Sequence, residues 1–454
     1  MMAERVCQLN YADIIPKEWS ANKFRQVFSF RKGLSITKEN LVDDGVPVIS
    51  YGQIHSKLNT GTGLNESLIR FVPETYLKTS GECLACYGDI VFADTSEDYE
   101  GVGNCALIDV KLPVFAGYHT IIARPIDQDI NSKYFAYLFQ TDLWRAQIRS
   151  EVMGIKVFSV TQKDLRETMI FLPPLCEQHA IADYLDRRCG QIDEIVADLQ
   201  RQIECLKKYK KSLISEVVTK GLNPHAPMKD SGARCVGMIP THWTISKIKY
   251  LIDSEHQYPI GDGDHGLIKS DDYLEEGIPY IRVLNLSWGY GLCLDNMVYI
   301  SSEMNDMIKG SELKPKDLLI AKTGATIGKT AIIPSSIPVA NTTSHVGKIT
   351  MPNTQCAEFY YHVLNSDVVQ KQIEDMSAMQ STRPELGIEG LKNLIVTVPD
   401  YNEQKQIADY LDRKCAEIDA ILDDKRRQVE VMKEQRKSVI YEYVTGKKRV
   451  KEAV

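Results

Sequence analysis

The sequence predicts an α+β chain built twice over, each copy joining a strand-rich head to one long amphipathic helix. Two observations carry that prediction: a gapless internal repeat and a heptad pattern inside it. A third, weaker repeat extends through the heads. Residues 177–219 open EQHAIADYLDRRCGQIDEI and residues 403–445 open EQKQIADYLDRKCAEIDAI. At a constant offset of 226, 24 of these 43 positions are identical. Repeats found this way define the architecture before any local element does.

The repeated block reads as helix. Leu185, Cys189, Ile192, Val196, Leu199, Ile203, Leu206, Leu213 and Val217 alternate in steps of four and three, with Lys210 filling one gap. Leu411, Cys415, Ile418, Leu422, Val429, Met432, Val439 and Tyr443 do the same, interrupted by Lys425 and Arg436. Such a seam is the signature of coiled-coil packing, and polar residues placed in a seam act as register devices. Two matched seams in one chain can bury against each other. Gly190 is a point where the first helix could break.

The heads read as short strands and loops. GVPVIS, DIVFAD and HTIIARP are strand-like in the first, and GIPYIRV, DLLIAK, AIIP and VGKITMP in the second. Helices are expected over 132–150 and 357–376. The repeat continues weakly here: Ile15-Pro16 with Trp19 matches Ile239-Pro240 with Trp243, and GDIVFADT (88–95) matches KDLLIAKT (316–323). The offsets drift between 224 and 232, so head loops have changed length while the helices have not. The expected boundaries are a first head at 1–172, a first helix region at 173–220 and a linker at 221–238. A second head at 239–398, a second helix region at 399–446 and a basic tail at 447–454 follow.

Bulk properties exclude several classes. At 454 residues the length accommodates about three domain-sized units, and 25% charged residues with 43% hydrophobic ones is ordinary for globular protein. No apolar run approaches the ~18 residues of a membrane span. The opening MMAERVCQLN has no apolar core of a secretory leader. Eleven cysteines without a framework fit a reducing cytosol, so a cytoplasmic location is expected. The net charge of −7 does not announce a nucleic-acid binder. Any DNA surface must be a local patch.

Catalytic motifs fail on inspection. KTGATIGKT (322–330) resembles a phosphate-binding loop, but only three residues separate Gly324 from Gly328 where four are required. A strand-like TAIIP follows where a helix should begin. PDYNEQK (399–405) holds nuclease-like fragments, yet its first copy, PPLCEQH, has neither the Asp nor the Lys. Cys83 and Cys86 form a lone CxxC without a second pair. GDGDHG (261–266) has calcium-like carboxylate spacing without the downstream Glu. No dinucleotide loop and no Asn/Asp-Pro-Pro-aromatic loop occur. No metal or cofactor is expected on this chain.

Divergent heads on nearly invariant helices suit a bipartite, asymmetric target, one half-site per head, with the helices setting the distance. The chain here resembles the specificity subunits of type I restriction-modification systems. The carriers are the [LV]-P-x-x-x-E-Q-x-x-I-A-D-Y-L-D blocks at 172–186 and 398–412, the I-P-x-x-W starts, and DGDHG with GIPYIRVLNL in the second head. The resemblance implies two α/β target-recognition domains joined by two long antiparallel helices, without catalysis of their own. It also implies two methyltransferase subunits and ATP-dependent restriction subunits as partners on double-stranded DNA, with S-adenosylmethionine, ATP and Mg held by those partners. The opening of the first head lacks the DGDHG turn, a departure from the pattern.

Base edges are read by Arg, Lys, Asn, Gln and Thr, and phosphates by Lys, Arg and amide-rich turns. By residue type and loop position, the candidates in the first head are Gln53, His55, Lys57, Thr95 and Asn104. In the second they are Arg282, Asn285, Lys322, Thr323, Thr326 and Lys329. Two rivals belong to other classes. One is a coiled-coil scaffold that binds no DNA, the other an enzyme with a hidden site.

Overall fold

The computed structural model describes residues 15–127, 129–152, 157–288, 291–378 and 384–450; the opening residues read for a leader lie outside that range. The chain forms two compact units, one of residues 1–199 with 427–454 and the other of residues 200–426. Each is a head together with part of both long helices.

The heads repeat one topology. In the first, Phe28–Lys32, Thr120–Pro125, Ile90–Ala93 and Cys105–Leu107 lie side by side, all antiparallel. In the second, Ile260–Asp262, Val346–Ile349, Leu318–Ala321 and Thr330–Ile332 lie in the same order. A smaller sheet follows in each, containing one parallel pairing: Val46–Ile49 with Val114–Ala116, and Ile278–Ile281 with Asn341–Thr342. A two-stranded ribbon closes each head, Ser20–Lys23 on Met169–Leu172 and Thr244–Lys247 on Ile395–Val398. The central strands Ile90–Ala93 and Leu318–Ala321 are apolar and buried along their whole length. Unbroken burial explains why neither run alternates with polar residues.

Each helix expected near the end of a head is two helices. Ser132–Leu138 gives way to Asp142–Arg149, and Ala357–Asn365 to Asp367–Ala378. The Thr141 hydroxyl accepts the Trp144 N–H, and the Ser366 hydroxyl that of Val369. An N-cap inside an apolar period restarts the helix, a signal that periodicity alone does not show. The linker is also more ordered than expected: Met228–Asp230 pairs with Met238–Pro240.

The long helices are Leu175–Lys220 and Tyr401–Val444. Gly190 does not break the first. Glycine costs roughly 1 kcal/mol in a helix interior, and the packing of the neighbouring Leu185, Cys189 and Ile192, all buried, outweighs it. The seam residues sit as follows. In the first unit Leu185, Ile192, Leu199 and Val429 are buried, with Val196, Met432 and Val439 half-buried. In the second Ile203, Leu411, Ile418 and Leu422 are buried, with Leu206 and Leu213 half-buried. Within the first unit the two helices run antiparallel. Glu177, Tyr184 and Asp193 meet Arg449, Tyr443 and Arg436, so numbers rise along one segment as they fall along the other. Two of the seam's three basic intrusions are ion-paired across the helices. Lys210 Nζ lies 2.7 Å from Asp419, and Arg436 Nε 3.0 Å from Asp193. Both are one pair seen twice at the offset of 226.

The repeated Glu-Gln acts as an anchor. The indole N–H of Trp19 donates to Glu177 at 3.1 Å, and that of Trp243 to Glu403 at 2.7 Å. Gln178 accepts the Asn131 N–H and donates to the Pro173 carbonyl; Gln404 accepts the Cys356 N–H and donates to the Pro399 carbonyl. Both glutamines are 1% exposed. Removing such a group orphans buried backbone polar atoms. Gln404→Leu should therefore lower stability by about 2–3 kcal/mol, read as a drop in the urea midpoint of the full chain. Gln406→Leu, at an exposed position on the same helix, should leave that midpoint unchanged.

Candidate functional site

KTGATIGKT is the loop of a β-hairpin. Ala321 N–H donates to the Lys329 carbonyl at 2.8 Å, and Gly328 N–H to Ala321 at 3.0 Å, between antiparallel strands. Gly324 and Gly328 have φ of +69° and +88°, a region glycine enters without strain. The equivalent hairpin of the first head carries residues 94–104, closed by Ala93 N–H on the Asn104 carbonyl at 3.0 Å. Asn104 and Lys329 thus occupy the same corner of the two loops.

In the first head the loop gathers several candidates. His55 Nε2 lies 2.8 Å from the Thr95 carbonyl, and the Asn104 amide 3.1 Å from His55 Nδ1. Thr95 Oγ1 is 3.3 Å from His119 Nδ1. Tyr51 stands edge-on to His55, Tyr118 and His119. A hollow of about 520 Å³ opens beside them, bordered by Tyr51, His55, Asn104 and the acidic Glu97, Asp98 and Glu100. Lys57 is exposed. In the second head, Thr323 Oγ1 is 3.1 Å from His345 Nδ1, Thr326 bonds back to the Thr323 carbonyl, and Lys329 is half-buried. Arg282 lies over the Tyr273 ring and donates to the Asn296 carbonyl at 2.6 Å, with its side chain only partly exposed.

Three candidates make hydrogen bonds or ion pairs within the fold. Asn285 is fully buried; its carbonyl accepts the Arg282 N–H and its amide donates to Cys293. Gln53 caps the equivalent turn, accepting the Ser50 N–H at 3.0 Å. Lys322 is 3% exposed and ion-paired with Asp262. Asn285 and Lys322 therefore have structural duties within the second head. An amide four residues past a strand end is read equally well as a base reader or a turn cap.

The departure at the first head's opening has a structural counterpart. Asp262 pairs in register with Gly347, and Lys32 with Ile121, 226 positions earlier. Gly33 thus stands where Gly263 does. A Cβ at either would lie within 2.3 Å of a backbone carbonyl oxygen, of Gly117 or of Thr342. Glycine is required, the rest of the turn is not. Charge is reversed across the same positions, Lys32 and Asp94 against Asp262 and Lys322.

His119 and His345 were missed by residue choice, although both are exposed at the loop mouths. HTIIARP and HVGKITMP, at the constant offset of 226, hold the signal. The motifs that suggested chemistry have other duties. Asp400 accepts the Glu403 N–H at the start of its helix, and Asp264 that of Ile268 within GDGDHG. Burial raises the Cys83 thiol and pushes that of Cys105 up to about 12, away from the reactive thiolate. Burial likewise raises the Asp317 carboxyl and lowers the Lys348 ammonium. Both are hydrogen-bonded and shielded from solvent, Asp317 to Thr350 and Lys348 to the Glu312 carbonyl.

Comparison with known proteins places this geometry. The family model for the type I restriction modification DNA specificity domain matches residues 16–204 and 260–431, well over half of the chain. The chain belongs to this family. It is 26% identical over 320 residues to the type I restriction enzyme MjaVIII specificity subunit of Methanocaldococcus jannaschii, covering 69% of this chain and 70% of that one. It is 26% identical over 297 residues to the EcoBI specificity subunit of Escherichia coli, covering 64% and 60%. A solved structure from work on assembly and conformational transition of a type I restriction-modification system superposes with a TM-score of 0.67 at 16% identity. That match covers 95% of this chain and 98% of that one.

Within a specificity subunit the two kinds of residue now separate. The Glu-Gln blocks that carry the family resemblance hold heads to helices, while the hairpin loops differ from head to head. Among the described residues no helix is long and apolar enough to cross a membrane, and no cluster of three metal-ligating side chains occurs. Lys322→Met should destabilise the chain by about 3 kcal/mol, because it takes the ammonium partner from Asp262 and leaves only His265 beside it. Adding Asp262→Leu should restore most of that loss, and Lys329→Ala alone should leave the thermal midpoint in place.

Proposed function

We propose that each head reads one half of an asymmetric, two-part DNA target through its hairpin loop, and that the paired helices set the spacing and dock two methyltransferase subunits. The observation that carries this reading is the contrast between the two copies. The anchors, Trp19–Glu177 and Trp243–Glu403, and the cross-helix ion pairs are the same pair twice. The loops 94–104 and 322–329 occupy equivalent hairpins with unlike residues. A constant frame with variable tips is what sequence discrimination by two modules requires.

On this reading the first head contacts DNA through His55, Lys57, Thr95 and Asn104. The second uses Arg282, Thr323, Thr326 and Lys329. The chain is non-catalytic. S-adenosylmethionine, ATP and Mg belong to the methyltransferase and restriction subunits, and cleavage and translocation are theirs. The net charge of −7 is compatible because affinity is shared with those partners.

Co-expression with a type I methyltransferase subunit, followed by mapping of methylated adenines in the host DNA, tests the proposal. The expected result is one bipartite, asymmetric motif, and replacing residues 95–103 with a Gly-Ser loop should degrade one half of it alone. A complex that forms without any motif, or a chain that assembles proteins independently of DNA, would hand the case to the scaffold reading.

A further inference from the structure

One side-chain pair is kept in both recognition loops although the loops differ in length and charge. Thr95 faces His119 Nδ1 and Thr323 faces His345 Nδ1, at 3.3 and 3.1 Å. Each histidine is also fixed at its backbone, its carbonyl accepting the N–H of residue 94 or 322 at 3.1 or 2.9 Å. Both rings are exposed.

What differs is the residue beside the pair. In the first head it is Asp94, whose Oδ1 lies 3.2 Å from His119 Nδ1. An ionised carboxylate has no hydrogen to give, so the hydrogen sits on Nδ1. The Thr95 hydroxyl has already given its own hydrogen to the same Asp94 oxygen at 2.8 Å. In the neutral ring, Nε2 is left as an outward-facing lone pair. In the second head the equivalent residue is Lys322, turned inward to Asp262. There the partner of Nδ1 is the Thr323 hydroxyl, which can give as well as take a hydrogen; acting as the donor, it leaves the N–H on Nε2. The bond at one ring nitrogen decides what the other presents.

We propose that His119 and His345 are specificity residues of opposite hydrogen-bond polarity. His119 accepts from an exocyclic amino group, adenine N6 or cytosine N4. His345 donates to a base acceptor such as guanine O6 or N7. These are the donor and acceptor groups that the major groove displays. The proposal rests on the reading that the hairpin loops meet DNA. It makes residues 94 and 322 positioning residues, which choose the polarity without touching a base.

Two measurements test it. Long-range proton–nitrogen correlation on the full chain, labelled with ¹⁵N at histidine and assigned with His119→Ala and His345→Ala, should show an Nδ1–H ring for residue 119 and an Nε2–H ring for residue 345. The same tautomer at both positions would overturn the proposal. Methylation mapping on the assembled complex should show each alanine variant relaxing one base position, in a different half of the motif, with discrimination falling about fivefold or more. Asp94→Asn, whose amide can donate to Nδ1, should move the preference at the first of those positions from an amino-bearing to a carbonyl-bearing base. His119→Gln and His345→Gln keep a polar side chain and provide the same readout should an alanine variant fail to fold. A wild-type complex that writes a bipartite motif unchanged by any histidine variant sinks this inference and leaves the DNA reading standing. A wild-type complex that writes no motif sinks both.

Discussion

A charge-assisted hydrogen bond from a buried tryptophan indole to a helix carboxylate holds each head in place. Trp19 is 5% exposed and Trp243 is fully buried, and each points its one donor at a glutamate in the first turn of a long helix. An indole has one polar atom, so a single partner satisfies it and a wrong partner leaves it orphaned. The adjacent glutamine then ties the same turn to the backbone of the head, at Asn131 in one copy and Cys356 in the other. The Glu-Gln dipeptide therefore fixes both where a head sits on its helix and which way it faces. The orientation of the two hairpin loops depends on that choice.

The second constraint is the pairing of charge inside an apolar seam. Lys210 is 7% exposed, and a charge at that depth needs a partner. Asp419 supplies it, and Arg436 with Asp193 repeats the arrangement. A slide of either helix by one turn would bury a cation against leucine and leave an aspartate without its cation. Such pairs contribute little net stability, but they make one register far better than its neighbours.

The duplication, the long helices and the run of strands were legible because they depend on periodicity, which a sequence displays directly. The antiparallel run of the helices was not, and came from resemblance; the side-chain pairs at Glu177, Tyr184 and Asp193 now show it within one unit. At the site, residue type alone does not tell two duties apart. Asn285 and Lys322 have the right chemistry for DNA, but the same chemistry caps turns and pairs with buried carboxylates. His55, Thr95 and Asn104 were named separately, and nothing in their spacing along the chain says that a hairpin brings them together. His119 and His345 are not among the DNA candidates because each lies beyond the loop in sequence, in the turn that leads into the next strand.

The two hairpins also differ in how they would respond to dissolved ions. Loop 94–104 carries exposed Glu97, Asp98 and Glu100, while 322–329 has no acidic residue and ends at Lys329. An acidic loop gains nothing from displacing counterions around a phosphate backbone, whereas a cationic one does. If both meet DNA, the first hairpin grips through neutral hydrogen bonds and shape, and the second draws part of its grip from released salt. Raising ionic strength would then loosen one end of a bound molecule before the other, giving a polarity to dissociation that neither half-site has alone.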